Sequence, residues 1–143
     1  ELDGGGGLTP RICPSARPSV VATSLASGRP LDLQHLDDCA AETWTERAAA
    51  VLARLQRSTH RDDGTVLVHG DFWLGNLMVD GDRVVAVVDW EEADRGDPGL
   101  DPAFLASSFL RFTGREADEV LERRLRAAVD RGLASGPDGP DPA

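Results

Sequence analysis

Residues 66–105 read VLVHGDFWLGNLMVDGDRVVAVVDWEEADRGDPGLDPAFL, and this stretch decides the fold. Two short apolar runs, Leu77–Val79 and Val84–Val88, are separated by Asp80-Gly81-Asp82. An Asp-Gly pair between apolar runs is typical of a β-hairpin turn. The second run is nearly all valine, as in a strand that is covered on both faces. The stretch therefore predicts a small, largely buried hairpin.

Polar side chains stand where these apolar runs begin and end. The run Val66–Val68 predicts a buried strand that leads into His69-Gly70-Asp71, and Asn76 follows five residues after Asp71. Asp89 ends the second strand of the hairpin, which folds back toward the loop that carries Asp71 and Asn76. Carboxylate and amide oxygens of this kind suit Mg²⁺, which keeps several waters and shares substrate phosphates.

This set of side chains fits the needs of phosphoryl transfer. The transferred group carries much negative charge, so a metal ion must neutralise it, and one carboxylate must orient the attacking hydroxyl. Asp71 is the candidate base, and Asn76 and Asp89 are the candidate metal ligands. An aspartate is a weak base at neutral pH, so Asp71 is expected to act mainly by positioning the hydroxyl.

Three short motifs occur in order within residues 69–101. They are HGDFWLGN at 69–76, VDW at 88–90 and GDPGLD at 96–101. Their order and spacing resemble the aminoglycoside phosphotransferase and choline kinase-like superfamily, whose members share the protein-kinase fold. A single triplet of this kind is weak evidence, whereas three in order within one short stretch point strongly to that superfamily.

The resemblance implies a role for each matching residue. Asp71 is implied as the catalytic base, and Asn76 and Asp89 as the residues that bind Mg²⁺ and through it the nucleotide. His69 is implied as a structural residue of the catalytic loop. Asp97 and Asp101 resemble positions that brace this loop or cap the following helix. The implied cofactors are Mg²⁺ and ATP, and the implied partners are a nucleotide and a small molecule that offers a hydroxyl.

The resemblance also predicts the fold class and the domain organisation. We expect an α+β fold that corresponds to the C-terminal lobe of a kinase, mostly helical with a small β-hairpin, over residues 19–133. Residues 1–18 are predicted to be a flexible tail or linker, and residues 134–143 a disordered tail, because glycine and proline leave them little to bury. A glycine-rich hairpin and a phosphate-binding lysine normally precede this lobe, but the sequence contains no lysine and starts at Glu1. The nucleotide lobe is therefore expected to be largely missing, in a processed, trimmed or partial chain.

Periodicity predicts the remaining elements. Ser19–Leu25 reads as a short strand that resembles the hinge, and Ala26 to Pro30 read as a turn. Three helices follow from the apolar spacing and from possible caps. The first is Ala41–Arg57, with Thr43 and Glu46 as a capping box. The second follows Pro98 and has Leu105, Phe109 and Phe112 on one face. The last starts near Thr113 and Glu116, ends near Gly132, and has an apolar face formed by Val120, Leu121, Leu125, Ala128 and Val129.

Composition narrows the function classes. The chain has 143 residues and a formal net charge of -10, so nucleic acid and anionic membranes, which attract basic faces, are not expected partners. No apolar stretch approaches the length of a membrane span. Cys13 and Cys39 are too few for a metal cluster and are expected to be free thiols in a reducing compartment, which predicts a cytoplasmic protein. The oligomeric state is not readable.

The sequence therefore predicts an ATP-dependent phosphotransferase for a small-molecule hydroxyl, in a truncated form that lacks the ATP lobe. Two alternatives stay open, namely an inactive kinase-like fragment that acts as a binding module and a metal-dependent phosphoesterase. Without the glycine-rich loop and the lysine, enzymatic activity of this chain is itself in question. Trp73 and Trp90 are expected to be packing residues, and Glu91–Arg95 to be a solvated loop.

Overall fold

The structure is a computed structural model, and it describes residues 12–13, 22–23 and 26–135. The described part of the chain contains seven strands, three α-helices and two short 3₁₀ turns. The strands are β1 (Ile12–Cys13), β2 (Ala22–Thr23), β3 (Arg29–Pro30), β4 (Val66–Val68), β5 (Leu77–Asp80), β6 (Arg83–Val87) and β7 (Asp94–Gly96), and the helices are α1 (Asp38–Thr59), α2 (Leu100–Phe112) and α3 (Glu119–Ala134). The predicted α+β class is confirmed. Most residues of the two predicted tails lie outside the described residues.

The predicted hairpin is present as β5 and β6. Leu77 pairs with Val87 in an antiparallel ladder, and Gly81 adopts a positive φ of 59° in the turn. The third strand of this sheet, β3, was predicted to be a turn, which is wrong. Arg29 and Pro30 pair with β5, and Pro30 is tolerated because β3 is an edge strand. The predicted hinge-like strand contains β2, which pairs with β1.

β4 is a buried strand as predicted, but its partner was not foreseen. It pairs antiparallel with β7, so that Val66 lies opposite Gly96 and Val68 lies opposite Asp94. The prediction of a loop is therefore wrong for Asp94 and Arg95, which lie in a strand, although Asp94 is exposed as expected. Backbone pairing does not depend on side-chain charge, and the Arg95 guanidinium donates to the Thr65 carbonyl at 3.0 Å, which keeps this charged strand in place.

α1 begins at Asp38, three residues before the predicted start. Its N-cap is Asp37, whose carboxylate accepts from the Ala40 amide at 2.7 Å. The capping box at Thr43 was wrong, because Asp37 caps the helix six residues earlier. Thr43 lies inside the helix, and its hydroxyl donates to the Cys39 carbonyl at 2.9 Å.

The predicted start of α3 was also wrong, and so was the expected burial of one apolar residue on α2 and one on α3. Asp118 is the N-cap and accepts from the Leu121 amide at 3.0 Å, whereas Thr113 lies at the C-terminus of α2. Phe112 and Val120 were expected on buried faces, but 49% and 61% of these residues are exposed. Both stand at helix ends, where the neighbouring helix no longer covers the predicted face.

One hydrophobic core joins the helices to the hairpin and to the loop of residues 69–76, which carries the candidate catalytic residues. Its members are Leu52 of α1, Phe72 and Leu74 of the loop, Leu77 and Val87 of the hairpin, Leu105 and Phe109 of α2, and Leu121 and Leu125 of α3. Phe72 and Leu74 are fully buried although they lie between the candidate catalytic residues. The loop is therefore anchored by its own apolar side chains.

Ion pairs join α1 to α3 along the surface. Arg124 and Arg131 of α3 both reach Glu42 of α1, each at 2.8 Å. These hydrogen bonds hold the pKa of Glu42 below its ordinary value of 4.5. The backbone amide of Leu121 and then the Arg115 guanidinium hold the pKa of Asp118 below its ordinary value of 3.8.

We expect the chain to lose stability in acid through these carboxylates. A carboxylate whose pKa is lowered on folding contributes stability above its unfolded pKa, and that contribution is lost as the pH falls through the lower, folded pKa. The free energy of unfolding, from urea titrations, should therefore decline below about pH 5 and more steeply below about pH 4. Glu42→Gln should flatten this decline, whereas Glu116→Gln, at an exposed position with no described ion pair, should not. Equal slopes for the two variants would contradict the assignment.

Candidate functional site

The loop after β4 is held by a buried carboxylate from α2. Asp101, in the first turn of α2, is 2% exposed. Its two oxygens accept from the backbone amides of His69 at 2.7 Å and of Gly70 at 3.0 Å. Hydrogen bonds from backbone amides to a carboxylate are among the stronger hydrogen bonds of a protein interior. Asp101 therefore determines where the loop begins relative to α2.

His69 connects this loop to the end of β6. Its side chain is fully buried, its Nε2 lies 2.9 Å from the Val88 carbonyl, and its Nδ1 accepts from the Asp71 amide at 3.2 Å. Since Nδ1 accepts, the proton is on Nε2, which donates to Val88. The ring also packs on Trp90, with 4.5 Å between centroids. These contacts leave His69 no access to a substrate.

Gly70 is required by its conformation and by its surroundings. Its φ is +85°, and a Cβ atom there would lie 2.7 Å from the Glu92 carbonyl oxygen. Any other residue would strain the backbone and would push away the segment that follows Asp89. The sequence showed this glycine only as part of a motif.

Asp71 and Asn76 are in direct contact. The Asn76 side-chain amide donates to the Asp71 carbonyl at 2.9 Å and to Asp71 Oδ2 at 3.1 Å. Asn76 ends a short 3₁₀ turn, Leu74–Asn76, and is 9% exposed, whereas Asp71 is half-buried. The contact orients the Asp71 carboxylate, and no described hydrogen bond engages its other oxygen.

The hairpin returns Asp89 to the neighbourhood of Asn76. The Val88 amide donates to the Asn76 carbonyl at 2.9 Å, which extends the pairing of the hairpin by one step. Asp89 follows directly and is exposed, with a φ of +64°. It has the one positive φ among the described residues other than glycine. Such conformations cluster at functional sites, where the surrounding contacts enforce them.

Asn76 and Asp89 carry oxygen atoms of the kind that could bind a hard divalent cation. Asn76 turns its nitrogen toward Asp71, so its Oδ1 accepts no hydrogen bond from the described residues, and neither does the Asp89 carboxylate. An amide oxygen and a carboxylate are ligands of the type that Mg²⁺ takes. Within residues 26–135 there is no grouping of three or more His, Cys, Asp or Glu residues that could by itself hold a metal ion.

Asp97 stands apart from the other predicted site residues. Its Oδ1 accepts from the Gly99 amide at 2.7 Å, and its carbonyl accepts from the Leu100 amide at 3.2 Å. It thus shapes the turn that leads into α2. Hydrogen bonds connect His69, Asp71, Asn76 and Asp101 into one group. Asp89 is linked to this group because the amide of its neighbour Val88 donates to the Asn76 carbonyl.

Two contacts of the site escaped the sequence analysis. The Gln56 side chain of α1 donates to the Pro98 carbonyl at 2.6 Å and so holds the turn before α2. Trp73 packs on Phe112, with 4.2 Å between ring centroids. The sequence predicted that Trp73 would pack, but it gave no signal for its partner. No described helix is both long enough and apolar enough to span a membrane.

Comparisons with known proteins bear on the family and the fold of this chain. The model of the phosphotransferase enzyme family matches residues 8–138. Acyl-CoA dehydrogenase family member 10 of Mus musculus is 48% identical in an alignment 100 residues long, and the match takes in 57% of this chain and 9% of that protein. This chain therefore spans less than a tenth of that relative. The macrolide 2′-phosphotransferase MphH of Brachybacterium faecium, solved as the apoenzyme, superposes with a TM-score of 0.53 at 20% identity over 87% of this chain and 67% of that one, which shows a shared fold.

Proposed function

The chain belongs to the phosphotransferase enzyme family, and we propose that it transfers the γ-phosphoryl group of ATP to a hydroxyl of a small molecule. The observation that carries the proposal is the contact between Asp71 and Asn76. One amide group of Asn76 holds the Asp71 carboxylate in place, while its oxygen is left for a cation. A base and a metal ligand are thereby coupled through a single side chain.

Asp71 is proposed as the residue that receives the acceptor. Asn76 engages Oδ2, so the other carboxylate oxygen can accept a hydrogen bond from the acceptor hydroxyl. In a loose transition state the proton leaves the hydroxyl late, so a carboxylate can serve by aligning the oxygen for in-line attack. The same carboxylate then takes the proton as the new bond to phosphorus forms.

Asn76 and Asp89 are proposed as the residues that hold Mg²⁺. When bound, the ion would neutralise the negative charge of the phosphate oxygens and so favour transfer of the γ-phosphoryl group. The chain's own contribution is to keep the two ligands in register. The Val88 amide is bonded to the Asn76 carbonyl, which brings Asp89 next to the loop, and His69 holds the Val88 carbonyl from the other side.

Transfer by the chain can be followed by ³¹P NMR with ATP, Mg²⁺ and a mixture of small alcohols, polyols and amino alcohols. We expect new phosphomonoester signals that depend on Mg²⁺. Asp71→Asn should lower their rate of appearance by about 10²–10⁴-fold, since it removes the proton acceptor and keeps the shape of the side chain. Asp89→Asn should raise the Mg²⁺ concentration that half-saturates the reaction.

The matched control is Asp80→Asn in the hairpin. Asp80 is an exposed aspartate at the end of β5, with no described side-chain hydrogen bond, so its loss should leave both quantities unchanged. Binding of Mg·ATP without transfer to any acceptor would contradict the proposed activity and favour a binding module. Transfer that survives in Asp71→Asn would exclude Asp71 as the base.

A further inference from the structure

Trp90 follows Asp89 in the chain, and its indole N–H reaches back across that residue. The indole nitrogen Nε1 donates to the Val87 carbonyl at 2.8 Å. Trp90 is half-buried and packs against the hydrophobic core. Neither Trp44 nor Trp73 makes an indole hydrogen bond to another described residue, so this bond distinguishes Trp90 from the other two tryptophans. Packing alone does not require it.

The carbonyl that accepts this hydrogen bond lies at the free edge of the hairpin sheet. Leu77 pairs with Val87, and the Val88 amide bonds to the Asn76 carbonyl one step further along. In an antiparallel ladder of this register, Val87 directs its own backbone groups away from β5. β6 is an edge strand, so the Trp90 indole stands where the amide of a further strand would otherwise donate.

The hydrogen bond and the backbone conformation of Asp89 depend on each other. Asp89 has a φ of +64°, which turns the chain at the end of β6. In a continued strand, Trp90 would lie about 10 Å from Val87 and on the opposite face of the sheet. A positive φ is unfavourable for a residue with a Cβ atom, so the surrounding contacts must enforce it. The bond from Trp90 to Val87 is one that forms only when the chain turns at Asp89.

Other contacts hold the two flanks of the turn without crossing it. Before Asp89, the His69 ring holds the Val88 carbonyl at 2.9 Å. After Asp89, the Ala93 amide donates to the Trp90 carbonyl at 3.1 Å, and the Trp90 ring packs on His69 at a tilt of 57°. Among the hydrogen bonds of the described residues, the indole bond is therefore the one that joins the two flanks of Asp89 directly.

We propose that Trp90 is a positioning residue, which holds Asp89 in its left-handed backbone conformation and so sets the direction of the Asp89 carboxylate. Asp89 is exposed, and its carboxylate accepts no hydrogen bond from the described residues, so the backbone is what orients this side chain. A change of φ at Asp89 would redirect the carboxylate relative to Asn76. The inference rests on the proposed function where it concerns the metal ion, whereas the conformation of Asp89 is observable without metal.

Trp90→Phe tests the proposal, because it keeps an aromatic ring against His69 and removes the N–H donor. In the ¹⁵N-labelled, metal-free chain, a positive φ gives a strong NOE between the amide proton of a residue and its own Hα, since the two protons are then close together. We expect this NOE to be strong at Asp89 in the wild type and clearly weaker in Trp90→Phe. The affinity for Mn²⁺, a paramagnetic substitute for Mg²⁺ that is read by relaxation enhancement, should fall by about tenfold.

Trp44→Phe is the matched control, because it makes the same exchange at a half-buried tryptophan of α1 and should leave both quantities unchanged. The amide spectrum shows whether each variant is folded. A role in packing alone would lower the stability of Trp90→Phe but would leave the Mn²⁺ affinity of the folded chain as it is in the wild type. In the wild type itself, the indole N–H of Trp90 should exchange with solvent more slowly than those of Trp44 and Trp73.

Three results would overturn the role of Trp90. They are an unchanged NOE at Asp89 in Trp90→Phe, an unchanged Mn²⁺ affinity in that variant, and equal solvent exchange at the three indoles. A wild type that binds no Mn²⁺ would instead refute the proposed metal site. In that case the NOE at Asp89 still decides whether Trp90 holds the turn, so the two proposals fail separately.

Discussion

Asp101→Ala is expected to lower the free energy of unfolding by about 2–5 kcal/mol. The carboxylate is 2% exposed and accepts from two backbone amides, those of His69 and Gly70. Each amide that is left buried without a partner costs about 1–3 kcal/mol, and water cannot easily replace the carboxylate at the buried His69 end. Urea unfolding followed by circular dichroism measures this loss.

Asp97→Ala is the matched control for this experiment. Asp97 is an exposed aspartate four residues earlier, and its carboxylate accepts one hydrogen bond, from the backbone amide of Gly99 in a turn. Its loss should cost about 0.5–2 kcal/mol, as for a helix cap. Asp101→Asn should fall between the two, because it keeps one acceptor and places an NH₂ group against the other amide. If Asp101→Ala were no more destabilising than Asp97→Ala, the proposed bracing of the loop by α2 would be refuted.

Gly132→Val is expected to destabilise the chain by about 2–3 kcal/mol through overpacking. A Cβ atom at Gly132 would clash with the Glu46 carbonyl oxygen and would lie 2.6 Å from the Ala49 Cβ, so α3 touches the backbone of α1 at this point. Backbone atoms cannot rotate away as a side chain can, so the two helices would have to separate. The better helix propensity of valine recovers only a few tenths of a kcal/mol.

Ala127→Val serves as the control for the helix itself, since Ala127 lies on the exposed face of α3. It introduces the same side chain into the same helix and should change the free energy of unfolding by no more than about 0.5 kcal/mol. Thermal unfolding of both variants, with helix content from circular dichroism, separates packing from propensity. Similar melting temperatures for the two variants would show that α1 and α3 can move apart without loss, contrary to our expectation.

The elements that the sequence predicted well depend on short-range chemistry. Asp80-Gly81 predicted the hairpin because its turn requires a positive φ, and Val66–Val68 predicted a strand because apolar β-branched residues suit a buried one. The helix starts were predicted less well. Asp37 and Asp118 are the N-caps, and each accepts from a first-turn amide of its helix, whereas Thr43 lies inside α1 and Thr113 lies at the C-terminus of α2.

For the candidate site, too, the sequence predicted some features and missed others. The motifs named Asp71, Asn76 and Asp89 and predicted that a hairpin would bring them near each other. The order of residues along the chain could not show that Asn76 donates twice to Asp71, that Gly70 packs against Glu92, or that Trp73 meets Phe112 at the far end of α2. The first of these contacts depends on how the loop of residues 71–76 folds back on itself, and the other two depend on how segments distant in sequence are packed.

The sequence by itself determined the family of this chain, its hairpin, and the residue types available for chemistry on a phosphate. These follow from local patterns, in which neighbours along the chain decide the backbone conformation. Only the tertiary structure decided that β4 pairs with the charged strand β7, that Asp101 holds the loop, and that α3 approaches α1 at a glycine. Those features arise because buried amides and close-packed surfaces must find partners wherever the folded chain provides them.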